Sequence, residues 1–322
     1  MTEPSFMIAI VNHNTRDELR TCLDSLRPYL GRVVVFDSHS TDGSAAMVRS
    51  DYSGASLIES PVNLGYGASA NRVFGQHALA RDAEVLVLSN SDIVFTPETL
   101  HVLVEDLRRN SDAGLTGPRL LNSDGSLQRS CFPLPGSLWW MVDNDAVCTL
   151  LRFVPVLRGR LLRLWDHKAV REVPWVKGAL LAIRKTAFED VGGFDESFFM
   201  YYEETDLCLR LAKRGWKIRF TPATEVIHSG GASTAKIRTV MAVALFESFM
   251  RFARRHYSAL HSTLLLYMWK LILLTRIVRD QARVAFRAGT DRSEAAASDL
   301  QAWKHAVGFR FRDLEQRDRR SL

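Results

Sequence analysis

The amino-acid sequence predicts an α/β fold: a mixed, mostly parallel sheet flanked by helices, followed by a C-terminal helical appendage. Three observations predict it. Short β-branched runs alternate with amphipathic stretches through the first 120 or so residues, the pattern of a parallel sheet covered by helices. The polar residues that end those runs are rich in Asp and Asn, where open parallel sheets bind ligands. The last third of the chain turns helical and basic.

The elements follow in order. Phe6 to Val11 is a short apolar run, Arg16 to Leu26 has Leu19, Leu23 and Leu26 at helical spacing, and Val33 to Phe36 is again β-branched, giving strand, helix, strand. Ser44 to Ser50 continues as a helix, Leu57 to Glu59 as a strand, Ala68 to Arg81 as a helix and Val85 to Leu88 as a fully apolar strand. Pro97 to Asn110 reads as a helix and Thr116 to Leu121 as a strand, with a turn at Asn122–Gly125. From Cys131 to Glu172 the rhythm stops: Trp139, Trp140 and Trp165 mix with Arg152, Arg158, Arg160 and Arg163, composing either an insertion near lipid or acceptor or a helical packing insert. Val173 to Ile183 is strand-like, Lys185 to Val191 a short helix, and Thr205 to Arg214 a helix that Gly215 closes. Trp216 to Phe220 and Glu225 to His228 read as the last two strands, and Thr234 to Arg287 as almost wholly helical. The expected organisation is a catalytic domain over 1–232 with the insertion at 131–172, a basic amphipathic helical segment over 233–290, and a charged tail over 291–322.

The 322 residues suffice for one substantial core plus an appendage, since single cores stop growing near about 250 to 300 residues. Hydrophobic and charged shares of 47% and 24% are ordinary for globular chains and exclude both disorder and a polytopic membrane protein. From Ser233 onward there are 17 Lys and Arg against 8 Asp and Glu, so the basic surplus belongs to this region. It accompanies long apolar runs, which favours an anionic membrane surface over nucleic acid, or else a platform of packed helices for oligomerisation. Leu264 to Leu274 is interrupted by Lys270 and soon followed by Arg276 and Arg279, which fits an interfacial helix better than a crossing. Cys22, Cys131, Cys148 and Cys208 show no CxxC spacing, so a reducing, cytosolic compartment is expected. The N-terminus lacks the basic region and long apolar run of a secretion signal.

Four clusters carry candidate chemistry. Asp37 to Ser44 (Asp-Ser-His-Ser-Thr-Asp-Gly-Ser) follows a buried strand and opens a helix; Asp37 there can accept from a base N–H, and the string is equally a turn with an N-cap. Asn63-Leu64-Gly65-Tyr66-Gly67 places glycines where backbone must approach something closely, with Asn71 about two turns on. Ser89-Asn90-Ser91-Asp92 ends the apolar strand, so Asp92 is held at the sheet edge as a suitable ligand for a divalent cation that offsets diphosphate charge. Glu203, Glu204 and Asp206 crowd a helix start, where Glu204 is the choice of general base; the three acids also complement the helix dipole, and Asp206 with Arg210 makes an ordinary i,i+4 pair. His228, ending a strand before Ser229-Gly230-Gly231, can complete the metal shell.

In this order, the strings resemble family two of the GT-A glycosyltransferases, particularly its bacterial rhamnosyltransferase-like branch, over about Phe6 to Ser233. Val11-Asn12-His13-Asn14 matches the first strand end, with His13 for the usual aromatic; Asp37 to Ser44 matches the nucleotide motif, with Ser38 for Asn; Asn90-Ser91-Asp92 stands for the metal motif without its first acid; Glu203-Glu204 replaces the commoner Glu-Asp. Trp175-Val176-Lys177-Gly178-Ala179 matches the acceptor-side segment, and Val191 to Glu196 precedes the acidic motif as in relatives. The resemblance implies a GT-A, Rossmann-like nucleotide-binding fold and an inverting transfer from a sugar nucleotide. Asn12, Asn14, Asp37, Ser40, Asp42, Asn63, Gly65, Asn71, Asn90 and Asp92 would hold the donor, Trp175, Gly178, Ala179 and Glu203 the acceptor side, and Asp92 with His228 a Mg²⁺ or Mn²⁺ ion. The resemblance also implies dTDP-L-rhamnose as donor, with UDP-sugars next, and a lipid-linked or oligosaccharide acceptor at the cytoplasmic membrane face. The rival class is a non-catalytic membrane scaffold, against which the intact Asp37, Asp92 and Glu204 argue. Nucleotidyl transfer would want a basic Gly-rich loop where Asn12 to Asp17 offers only Arg16.

Overall fold

The apolar runs form strands buried on both faces, as parallel sheets require. In the computed structural model, which describes residues 5–143, 148, 161–230, 238–286, 304 and 306–311, β1 (Phe6–Asn12) sends Met7 and Ala9 into one core cluster and Ile8 and Ile10 into the other. Parallel to it lie β2 (Val33–Ser38) on one side and β4 (Val85–Asn90) on the other, with β3 (Ser56–Ser60) outside β2. The register sets Asn12 opposite Asp37 and Val11 opposite Asn90, so three polar strand ends meet at one edge.

Beyond β4 the sheet continues through β11 (Leu180–Arg184), antiparallel to β4, then β6 (Ala113–Leu121) and β12 (Lys217–His228), which are parallel to each other. β5 (Ile93–Val94), β7 (Leu127–Gln128) and β9 (Arg171–Glu172) add to its margin, making ten strands in one mixed sheet, and β8 (Cys131–Phe132) with β10 (Trp175–Val176) forms a separate ribbon. Helices α1 (Arg16–Ser25), α2 (Ser44–Asp51) and α5 (Thr99–Arg109) bury Leu19 and Leu23, Met47 and Val48, and Leu103 and Leu107 in one cluster. On the other face α3 (Tyr66–Gln76), α4 (Ala78–Asp82), α7 (Lys185–Asp190) and α8 (Glu203–Lys213) contribute Val73, Ala80, Phe188 and Leu207. A five-residue α6 (Leu138–Val142) follows the ribbon strand β8.

Three local readings change. The expected helix Ala68 to Arg81 is two helices, because His77 adopts extended backbone and caps α4 by accepting from the Leu79 N–H. Val173 to Ile183 is broken at Lys177–Ala179, which leave the ladder between β10 and β11. The last two expected strands are one, Lys217–His228, with a register shift between Thr221 and Glu225. Gly215 closes α8 as expected: at φ +91° it donates to Ala212 O while Trp216 N–H reaches Leu211 O, which pairs the last orphan carbonyls.

The chain divides into two compact units, Met1–Glu196 with Glu203–Ser233, and Ser197–Tyr202 with Thr234–Leu322. In the second, α9 (Arg238–His256) and α10 (Ala259–Phe286) pack Phe249, Phe252 and Leu265 out of solvent, and Tyr202 sets its ring against Phe249 and Phe252. Tyr201 and Tyr202 both take left-handed backbone, φ 66° and 68°, at a cost of about 1 to 2 kcal/mol each. No helix among the described residues is long and apolar enough to cross a membrane. Much of the insertion (144–147 and 149–160) and most of the 291–322 tail lie outside the described residues.

Candidate active site

At the ends of β1 and β2 the polar side chains bind one another. Asp37, 3% exposed, accepts from Ser40 N–H at 2.9 Å and from Asn12 Nδ2 at 3.0 Å. Asn12, fully buried, also donates to Ser40 Oγ and accepts from Thr15 Oγ1, so its amide N–H groups are spent on fixing Asp37 and Ser40. Asn14, at φ 53°, accepts from Thr41 N–H, and its own N–H donates to Ser40 Oγ. Asp42 accepts from Arg16 N–H and from Ser44 N–H, which caps α1 and α2; these bonds outweigh its partial burial and hold its carboxyl below the usual range. Asn63 accepts from Ser38 Oγ and Gly65 N–H, and Gly65 opens α3 at φ 80°.

Asn71 stands apart from this group. Its amide exchanges hydrogen bonds with Phe194 N–H and Phe194 O, and donates to Glu196, clamping the loop that leads toward the acidic helix.

The end of β4 is tied on both sides. Asn90 N–H donates to Ala179 O, and Ser91 Oγ shares a 2.6 Å hydrogen bond with Thr15. Asp92 Oδ2 accepts from Gly230 N–H at 3.0 Å, and Oδ1 lies 3.3 Å from His228 Nε2. Burial works to raise the Asp92 carboxyl, but a protonated His228 ring and the Gly230 N–H outweigh it and keep it below the usual carboxylate range. His228, 4% exposed, meets Asn90 Nδ2 at Nε2 and Gln128 Oε1 at Nδ1.

Glu203 and Glu204 open α8. Glu204 Oε1 accepts from Gly178 N–H at 3.3 Å, while Oε2 is buried and has no hydrogen-bond partner. Burial pushes its carboxyl up, against the pull of nearby N–H groups and Lys177. Glu203 is 5% exposed beside Gly67 and is pushed up further, by burial and then by Glu204. A Cβ on Gly178 would sit 3.3 to 3.5 Å from the Glu204 side chain, so an added methyl group would require the carboxylate to give by a few tenths of an ångström. Trp175 stacks near Phe132 and donates to Pro133 O, and Ala179 is buried. Asp206 is buried and pairs with Arg210 at 2.7 Å.

Two side chains, quoted above only within longer strings, join the clusters. Tyr66 donates to Gly178 O at 2.7 Å, and its hydroxyl is raised well above its ordinary value by burial, Glu203, Glu204 and Asp92 in turn. Lys177 is lowered by burial and drawn back by Asp92 and Glu204. A chain of hydrogen bonds links the two clusters: Lys177 Nζ donates to Gln128 Oε1, which also meets His228 beside Asp92, and the next residue, Gly178, donates to Glu204. Lys177 departs from the strand alternation at the break after β10, and that break is the one signal that would have marked it. Asp37, Asn12 and Ser40 join the same edge through β1, whereas Asn71 faces the loop.

A carboxylate oxygen and a ring nitrogen 3.3 Å apart could supply two ligands to a divalent ion. Among the described residues no group of three or more His, Cys, Asp or Glu is arranged to hold a metal.

The model of glycosyl transferase family 2 matches residues 7–144, and that of glycosyl transferase family group 2 matches residues 161–290. An N-acetylglucosaminyl-diphospho-decaprenol L-rhamnosyltransferase of Mycobacterium tuberculosis is 33% identical over 215 residues, 63% of this chain and 68% of the relative. The chain is a family 2 glycosyltransferase. A pre-mycofactocin glycosyltransferase of the same organism is 41% identical over 226 residues, 69% of this chain and 42% of that protein. The GT-A fold is shared with a mannosyltransferase of Pyrobaculum calidifontis solved with GDP-Man and Mn²⁺, at TM-score 0.55 and 18% identity over 95% of this chain and 86% of that one. As a family 2 member this glycosyltransferase uses a nucleotide-sugar donor; the GDP-Man and Mn²⁺ are the neighbour's own ligands.

Proposed function

We propose that this glycosyltransferase moves L-rhamnose, with inversion, from dTDP-L-rhamnose to a hydroxyl of a lipid-linked saccharide in cell-surface polysaccharide assembly, at the cytoplasmic face of the membrane. The observation that carries the mechanism is the Glu204 carboxyl: one oxygen is tied to Gly178, the other is buried without a partner, and the same Lys177 senses it and Asp92.

The residues divide the work. Asp37, fixed by Asn12 and Ser40, accepts from the pyrimidine N–H. Asp92 and His228 would hold Mg²⁺ or Mn²⁺, and that ion would supply positive charge beside the leaving diphosphate. Lys177 adds a fixed cation to the same leaving group. Glu204 takes the acceptor hydroxyl proton as that oxygen bonds to the anomeric carbon; the bond from carbon to the diphosphate breaks, and the nucleoside diphosphate departs with its electron pair. One displacement inverts the anomeric centre. A carboxyl whose burial raises its proton affinity is the better base for this step.

The sugar and acceptor rest on the 33% identical relative, whose name specifies both. Asp37 would read uracil as well as thymine, so UDP-sugars are the competing donors. The basic C-terminal segment, proposed as a membrane-associating or oligomerising domain beside the 1–232 catalytic domain, would hold the enzyme at the lipid surface. The test is a donor screen with Mg²⁺ or Mn²⁺ and an N-acetylglucosaminyl-diphospho-lipid acceptor, reading released nucleoside diphosphate and product by mass spectrometry. Transfer from a UDP-sugar alone would replace the donor, and no turnover with any donor would favour a non-catalytic scaffold.

A further inference from the structure

Gln128 lies on β7, which pairs with β6, and nothing in its sequence surroundings marks it. Its side-chain orientation is nonetheless set at both ends. Nε2 donates to Asn122 Oδ1 at 2.9 Å and to the backbone oxygen of His228 at 3.1 Å, and both of these can only accept. Asn122 is itself oriented, since its Nδ2 donates to Ser126 Oγ. Oε1 therefore faces Lys177 Nζ at 3.0 Å, which can only donate, and His228 Nδ1 at 2.6 Å. Turning the amide over would set an NH₂ group against an ammonium and an oxygen against two oxygens.

An acceptor at 2.6 Å requires the proton on Nδ1, and in a neutral ring that leaves the lone pair on Nε2. Asn90 Nδ2 approaches this nitrogen at 3.3 Å as a donor, and Asp92 Oδ1 lies 3.3 Å away. We propose that Gln128 is a positioning residue: it fixes His228 as the Nδ1–H tautomer, aims the Nε2 lone pair beside Asp92 where a divalent cation binds, and anchors the Lys177 ammonium to the same oxygen. One amide thus orders the nitrogen ligand and the fixed cation that serve a single diphosphate. Outer partners of this kind alter metal affinity by about 10- to 100-fold when removed. The inference rests on the reading of Asp92 and His228 as the cation pair.

The test uses the full chain labelled with ¹⁵N-histidine, free of metal, at a pH where the His228 ring is neutral; the resonance is assigned by its loss in His228→Ala. The wild-type ring nitrogens should show the Nδ1–H pattern, and Q128L should show an increased Nε2–H population. Mn²⁺ affinity in the presence of dTDP, read by calorimetry, should fall about 10- to 100-fold in Q128L. Q128E keeps an acceptor for both donors and should keep the Nδ1–H pattern, with Mn²⁺ affinity closer to wild type than in Q128L; circular dichroism verifies folding of each variant. An unchanged ring pattern and Mn²⁺ affinity in folded Q128L overturn the proposal. If Q128L does not fold, Q128E decides: an Nε2–H pattern there overturns it, and a retained Nδ1–H pattern supports it. Wild-type Mn²⁺ affinity in His228→Ala would instead remove the cation reading, while the ring pattern still decides what Gln128 does to the tautomer.

Discussion

Glu203 and Glu204 are adjacent in the chain and are held differently. Each keeps a buried oxygen without a hydrogen-bond partner, but Glu204 sets its other oxygen on Gly178 N–H, while Glu203 lies 5% exposed beside Gly67. Glu204→Gln keeps the shape and removes the base, so kcat should fall about 10²- to 10⁴-fold while donor KM stays within a few-fold; steady-state kinetics with saturating acceptor check this, and an unaltered kcat would remove Glu204 from the chemistry. Glu203 makes a stability prediction. Its folded pKa is raised, so the folded state holds the proton more tightly and stability is lost as pH rises from the unfolded value, about 4.3, through the folded one. Glu203→Gln abolishes that loss. Thermal melts should show no gain near pH 4 and a growing gain toward neutral and alkaline pH; a constant difference across pH would contradict the burial of an ionisable group. The residue pattern announced three crowded acids, and the choice of Glu204 as base came without the contacts that surround it: Gly67, Gly178 and Tyr66 approach from 26 to about 140 positions away in the chain.

Elements position the site through two glycines and a broken strand. At Gly178 a methyl group would press on Glu204 Cβ, Cγ and Cδ at 3.3 to 3.5 Å; Gly178→Ala should lower kcat more than it lowers melting temperature, and the reverse ordering would show that the contact matters for packing alone. At Gly193 the backbone is at φ +75° and a Cβ would lie 2.8 Å from Asn71 Oδ1, the atom that accepts from Phe194 N–H. Gly193→Ala should therefore cost about 1 to 2 kcal/mol from backbone strain alone, a fall of roughly 2 to 8 °C for a domain of this size, measured by differential scanning fluorimetry. The strand ends were legible because apolar runs stop where solvent or ligand begins. The interruption at Lys177–Ala179 was missed although Lys, Gly and Ala are poor strand formers; there Ala179 O accepts from Asn90 N–H, and Gly178 meets Glu204 and Tyr66. Asn71, grouped with the donor residues by its distance from Asn63, proves to clamp a loop 123 positions away.

For the molecule as a whole, the C-terminal unit presents apolar side chains to solvent along α10: Leu260, Leu264, Tyr267, Leu271, Leu274 and Val278 are each 47% or more exposed. With the basic surplus of this region, at about 1 kcal/mol per Lys or Arg near anionic lipid before screening, the full chain should cosediment with phosphatidylglycerol vesicles. Rising salt should release most of it, and Leu264→Asp with Leu271→Asp should weaken the remainder; equal binding to neutral vesicles, or none to either, would discard the membrane-surface proposal. The sequence by itself determined the α/β class and the polar clusters at strand ends and at one helix start, because side-chain period and end polarity are local properties. Tertiary structure decided which of those polar groups are spent on one another. Asn12, Asp42 and Asn71 find partners in the protein, while Glu204 keeps an oxygen free and His228 takes its orientation from Gln128, 100 positions earlier. A hydrogen bond's partner is chosen by distance in space, which chain periodicity does not encode.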